Sequence, residues 1–100
     1  MTIKLTKCEQ DLTSVENLQP ACPVFVVEGE FAGTKFSGRI ELELDGRGGS
    51  EELVGLEKLT QDEAEHLSDE LYFALYNTPA YRAAEQTYEV WQISRDALQN

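Results

Sequence analysis

CPVFVVEGEFAGTKFSGRIELELDG, residues 22–46, decides how this chain folds. In its first half Phe25, Val27, Gly29 and Phe31 fall on one face of an extended chain. In its second half Phe36, Gly38, Ile40, Leu42 and Leu44 do the same. Alternation with a period of two marks a half-buried strand, because successive side chains of a strand point to opposite faces. Residues 23–31 and 36–44 are therefore predicted to form a β-hairpin closed by the four-residue loop Ala32-Gly33-Thr34-Lys35. With Phe31 opposite Phe36, the inward pairs become Gly29 with Gly38, Val27 with Ile40 and Phe25 with Leu42. The same register sets Glu28 against Arg39 on the outward face. A slip of one residue would turn both apolar faces to water.

The flanks extend this hairpin into a sheet. Ile3 and Leu5 alternate with Lys4 and Thr6, which predicts a strand over Thr2–Cys8. Leu12, Val15 and Leu18 recur every three residues beside a capping pair, Thr13 and Glu16, and predict one short helical turn that ends before Pro20 and Pro23. Residues 45–50, Asp-Gly-Arg-Gly-Gly-Ser, read as a turn or mobile loop. They lack the Lys-Ser/Thr ending of a phosphate-binding loop. Leu53–Lys58 is predicted as a strand, since Gly55 disfavours a helix there.

From residue 60 the period changes. Thr60-Gln61-Asp62-Glu63 is a capping box, and Asp62 and Glu63 suit the positive end of a helix dipole. At about 100° per residue, Ala64, Leu67, Leu71, Ala74, Leu75 and Thr78 form one apolar stripe, so a helix is expected over about 60–77. Thr78-Pro79 then pairs an N-cap residue with the residue best suited to the first helical position. A second helix over 79–98 follows, with Ala80, Tyr81, Ala84, Tyr88, Trp91 and Leu98 as its stripe. Strands followed by helices predict an α+β domain, residues 1–100, in which a small antiparallel sheet of three or four strands carries two C-terminal helices on one face.

The formal net charge is −11, and its placement is informative. Residues 40–70 hold eleven acids against Arg47 and Lys58, a net of −9, while the segments on either side are each near −1. Direct nucleic-acid binding requires clustered Lys and Arg, which this chain lacks. No apolar run approaches the roughly 20 residues of a membrane span, and the N-terminus lacks the apolar segment of a signal peptide. A cytoplasmic location is expected, with Cys8 and Cys22 as free thiols.

No pattern points to catalysis, a metal or a cofactor. His66 is flanked at four residues by Asp62 and Glu70, but a single histidine among helix-surface acids suits an ion-pair ladder better than a metal site. Neither cysteine is marked as activated. Gly29 beside Gly38 would leave a dent in a bulky face, filled by Trp91, Tyr81 or Tyr88, or by a small ligand. Phe73 lies on the helix face opposite the Leu67–Leu71 stripe, among Asp69, Glu70 and Tyr76. It is either covered by another segment or the apolar anchor of a binding surface.

The expectation is a small acidic, non-enzymatic interaction protein whose carboxylates occupy a basic, nucleic-acid-binding surface of a partner. Its binding residues would be Glu41, Glu43, Asp45, Asp62, Glu65, Asp69, Glu70, Phe73 and Tyr76. Phage proteins that block restriction or CRISPR complexes share this profile of size and charge. The alternatives are a small enzyme or ligand-binding domain using the glycine dent, and a structural subunit of a larger assembly.

Overall fold

The computed structural model describes residues 3–12, 20–46 and 48–98. Its element order is β1 (Lys4–Gln10), β2 (Val24–Phe31), β3 (Thr34–Leu42), β4 (Gly49–Val54), α1 (Gln61–Tyr76) and α2 (Pro79–Leu98). The four strands form one antiparallel sheet in sequence order, and the two helices follow it, an α+β arrangement. The short helical turn expected from Leu12, Val15 and Leu18 falls largely on residues outside the described part. Leu12 itself is exposed.

The central hairpin forms, but with a tighter turn than its sequence suggests. Ala32 and Gly33 alone make the turn, with φ values of 52° and 77°. Positive φ at both central residues is the requirement of a type I′ turn, whose twist matches that of the flanking strands. Thr34 and Lys35 consequently join β3, and Phe31 pairs with Thr34 rather than with Phe36. The pairing moves by two residues, one full side-chain period, so both apolar faces survive while every cross-strand partner changes. Glu28 lies opposite Ser37 instead of Arg39. Arg39 faces Val26 and reaches Asp11, with 2.6 Å between Nη2 and Oδ2.

The dent expected between Gly29 and Gly38 therefore does not exist. Gly29 faces Phe36, and Gly38 faces Val27. The Phe36 ring fills the space over Gly29, where an added Cβ would lie 2.8 Å from Phe36 Cζ. No helix aromatic is needed as filler. Ala32 is the strained position of the hairpin, because a left-handed backbone costs a residue bearing Cβ about 1–2 kcal/mol. Ala32→Asn, which creates the favoured Asn-Gly pair, is expected to raise stability by about 0.5–1 kcal/mol. An unchanged urea midpoint would contradict it.

Two further boundaries differ from the sequence reading. β1 runs from Lys4 to Gln10, with an extra residue, Thr6, between Leu5 and Lys7. Leu5 pairs with Gly29 and Cys8 with Val27, so the bulge lets both side chains reach the core across an odd spacing. β4 occupies Gly49–Val54 rather than Leu53–Lys58. The stretch read as a loop thus begins an edge strand, and Gly55, at φ 96°, ends it.

Both helix starts follow their sequence signals. Thr60 Oγ1 accepts from the Glu63 amide at 3.2 Å, and Glu63 Oε1 accepts from the Thr60 amide at 2.9 Å. Thr78 caps α2: its hydroxyl accepts from the Tyr81 amide and donates to the Leu75 carbonyl. Leu67, Leu71, Leu75 and Ala84 pack against Phe25, Val27, Phe31, Phe36, Ile40 and Leu42 to form the core. Ala64, assigned to the same helical stripe, is exposed. Ala84 is the last buried residue among the described side chains of α2. Beyond it Tyr88 stacks on Trp91, and Arg95 lies over the Trp91 ring at 5.3 Å. The side chain of Leu98 lies outside the described part. Among the described residues no helix is long and apolar enough to cross a membrane.

Candidate functional site

The change of period at Thr60 sets how α1 lies on the sheet. With Leu67, Leu71 and Leu75 turned to the core, the opposite ridge is Asp62, His66, Asp69, Phe73 and Tyr76, at spacings of four and three. Phe73 on this ridge is 70% exposed and Tyr76 is 47% exposed. Among the described residues, neither α2 nor any other segment covers Phe73. Asp62, Glu65 and Asp69 are exposed beside it, whereas Glu70 is half-buried.

One flank of α1 faces β4. Gly49, Glu51 and Leu53 share the helix side of that strand, opposite Leu42, Ile40 and Gly38. Glu51 is thus a carboxylate pointing to the helix side of an edge strand, a placement that discourages further strand pairing. Its oxygens accept from Ser68 at 3.4 Å and from the Tyr72 hydroxyl. Glu51 was part of the acidic block but not among the expected binding residues. Only the strand register shows that it reaches α1.

Where α1 turns into α2, three tyrosines gather. Tyr72 and Tyr76 have ring centroids 6.4 Å apart, and Tyr76 and Tyr81 are 4.9 Å apart, with interplanar angles of 39° and 53°. Tyr81 in turn meets the buried Phe25 at 6.4 Å. The sequence placed Tyr81 and Tyr76 on different helices, and only the tight Asn77-Thr78 corner brings them together. These rings form one wall of an open groove of about 590 Å³, and the β3–β4 connection forms the other. Glu43, Leu44, Gly46 and Gly48 line that second wall. A backbone bond from Glu43 N–H to the Gly48 carbonyl at 3.1 Å closes the connection.

Glu43 borders the groove, but it stands between the inward-facing Leu42 and Leu44, so its side chain turns to the other face of the sheet. Burial, followed by the hydrogen bond to Glu51 and that residue's charge, holds the Tyr72 hydroxyl well above its usual range. Burial and then Glu85 raise Tyr81 to about 12. Both phenols therefore remain neutral, and the Tyr72 hydroxyl donates to Glu51. Burial pushes the Cys22 thiol up, and the charges of Asp45, Glu43 and Glu41 push it further, so these three acids act on one neighbourhood. Cys8 is also raised by burial, partly offset by its contact with Thr78 Oγ1 at 3.7 Å. Both cysteines are free and neither is held as a thiolate, the form a nucleophile needs. Among the described residues no three His, Cys, Asp or Glu side chains converge as a metal site would require.

The expected binding residues thus divide over the surface. Asp62, Glu65, Asp69, Phe73 and Tyr76 share the exposed side of α1. Glu43 and Asp45 are exposed at the β3–β4 connection, where their charges act with that of Glu41 on Cys22. Glu41 follows Ile40 and precedes Leu42, both turned to the helices, so it points to the sheet's other face, away from Phe73. Tyr76 joins the ridge to the groove. Comparison with protein-family models, with curated proteins and with solved structures finds no match to this chain.

Proposed function

We propose that this protein is a non-enzymatic interaction module that docks its acidic α1 side on a basic, nucleic-acid-binding surface of a partner protein and so inhibits or modulates it. The observation that carries this reading is Phe73, an aromatic ring 70% exposed between Asp69 and Tyr76 on a ridge of acids. An exposed aromatic within a polar rim is the usual form of an interface anchor. The surrounding carboxylates would steer the encounter and occupy positions that phosphates otherwise take. Two free thiols fit a reducing, cytoplasmic setting.

The test is affinity capture from the native host, identification of the captured protein, and binding kinetics between 0.1 and 1 M salt. Over that range the Debye length falls from about 10 Å to about 3 Å. Association is expected to slow as salt rises and on Asp69→Lys or Glu65→Lys. Phe73→Ala is expected to speed dissociation, at a cost of about 2 kcal/mol. Salt-independent binding that ignores both charge reversals would discard the acidic side as the active surface.

A further inference from the structure

Past Ala84, α2 runs on with little support from the rest of the fold. Of residues 85–97 only Tyr88 and Trp91 are half-buried, and they stack on each other with Arg95 over the Trp91 ring. A helical stretch of this length is marginal in water when nothing packs on it, since helices shorter than about 12–15 residues hardly persist alone. Its bare surface is not uniformly polar. Val90 is 58% exposed and Ile93 69%.

These two side chains belong to a seam. Ala83, Gln86, Val90, Ile93 and Ala97 recur at spacings of three, four, three and four, the a and d pattern of a coiled coil. All five are exposed, on the side of α2 turned away from the buried Ala84. Ala83, Gln86, Thr87 and Val90 border a shallow groove of about 380 Å³. Four residues at i, i+3, i+4 and i+7 are the hole into which a facing helix inserts a knob. Ala83 and Thr87 are small, so this hole stands open.

We propose that the seam pairs with that of a second copy of this chain, the two α2 helices lying antiparallel. The seam is complementary to itself. With the two-fold axis beside Val90, Ile93 of each copy is the knob for the Ala83, Gln86, Thr87 and Val90 hole of the other. The flanking residues agree. One side of the seam carries Thr87 and Ser94, both neutral, and the other carries Arg82, Glu89 and Asp96. Antiparallel packing sets the charged side against itself, so Arg82 meets Asp96 of the second copy at both ends and Glu89 meets Glu89 at the centre. Parallel packing would set those charges against Thr87 and Ser94 and gain no ion pair. Pro79–Leu98 also carries little of the chain's charge of −11, with Arg82 and Arg95 against Glu85, Glu89 and Asp96. This inference concerns a different element from the α1 ridge and does not rest on the docking function proposed above.

The contact is short. Ala83 to Ala97 spans about 21 Å, too little to bury the roughly 800 Å² per partner of a standard interface. The pair is accordingly weak, with a Kd of about 0.1–1 mM. Sedimentation equilibrium of the full chain between about 0.05 and 2 mM, at about 0.15 M salt, brackets that value. A monomer–dimer equilibrium is expected. Val90→Glu and Ile93→Gln, at exposed positions outside the core, should each weaken it about tenfold or more and leave the melting temperature of the dilute chain unchanged. Glu89→Gln should tighten it several-fold by removing the one like-charge contact.

The charge exchange fixes the orientation. Arg82→Glu alone and Asp96→Arg alone should each weaken the dimer, and the two together should restore it, a rescue that unspecific clustering of apolar surface does not give. A chain that sediments at one chain mass throughout overturns the proposal and leaves the seam to a different protein. A dimer that ignores both Val90→Glu and Ile93→Gln overturns it as well, because its contact lies elsewhere. A dimer that needs Val90 and Ile93 but shows no rescue is not the antiparallel pair, and the proposal falls with it.

Discussion

Gly38→Val is expected to strip β4 from the sheet and to cost about 3 kcal/mol or more. Gly38 sits on the helix side of β3, opposite Val27 on one neighbour and Leu53 on the other. A Cβ there would overlap the carbonyl oxygen of Glu52 and stand 2.8 Å from the Leu53 Cα. Both obstacles are backbone, so no rotamer change relieves them, and β4 must move. Its movement would also withdraw Glu51 from Ser68 and Tyr72 and loosen the tie between sheet edge and α1. Ser37→Val, one residue away, turns to the outer face between Glu28 and Val54. Its effect should stay within about 0.5 kcal/mol, because a β-branched side chain suits an outward strand position. Urea denaturation separates the two. With a slope of about 1–3 kcal/mol per molar urea, Gly38→Val should lower the midpoint by about 1 M or more. Equal midpoints would show that β4 does not lie against Gly38.

Leu71→Ala is expected to cost about 2–5 kcal/mol, whereas Phe73→Ala should cost less than about 0.5 kcal/mol. The two side chains sit two residues apart on α1 and occupy opposite faces of it. Leu71 is fully buried in the core shared with Phe25 and Ile40, and truncating it leaves a cavity under the middle of the helix. A protein of this size has about 5–15 kcal/mol of total stability, so the change removes a large part of it. The melting temperature should fall by about 10 °C or more at about 4–8 °C per kcal/mol. Phe73 loses little packing because most of its ring already faces water. A Phe73→Ala variant that melts as early as Leu71→Ala would mean that Phe73 is core and that the proposed anchor is wrong.

The strand faces, the capping box at Thr60 and the Thr78-Pro79 corner were legible because each depends on residues close in sequence. The face assignment even survived an incorrect turn. The hairpin closes on Ala32 and Gly33, a shift of one full side-chain period, so Phe25 and Ile40 remain inward under either pairing. The partners were not legible. Alternation reports which face a side chain takes, while the opposing residue depends on turn geometry, and Ala32 gives little hint of a left-handed conformation. β4 was misplaced for a related reason: Gly49, Ser50, Glu51 and Glu52 carry no apolar alternation, and β3 beside them supplies the pairing.

The candidate site shows the same division. The charge block and the place of Phe73 on the α1 face opposite Leu67 and Leu71 follow from residue order and a helical period, while its exposure is seen only in the folded chain. Tyr72 and Tyr76 are neighbours by helical spacing, but Tyr81 joins them only because the chain turns at Asn77 and Thr78. Glu41 and Glu43 are both carried to the side of the sheet away from the helices, because they alternate with the inward-facing Ile40, Leu42 and Leu44. By itself the sequence determined the α+β order, the apolar faces and the sign of the surface, since these arise from local periodicity and composition. The tertiary structure alone decided cross-strand register, the close approach at Gly38 and the tyrosine groove, because each depends on the distance between segments far apart in the chain, and that distance is set by packing rather than by any local pattern.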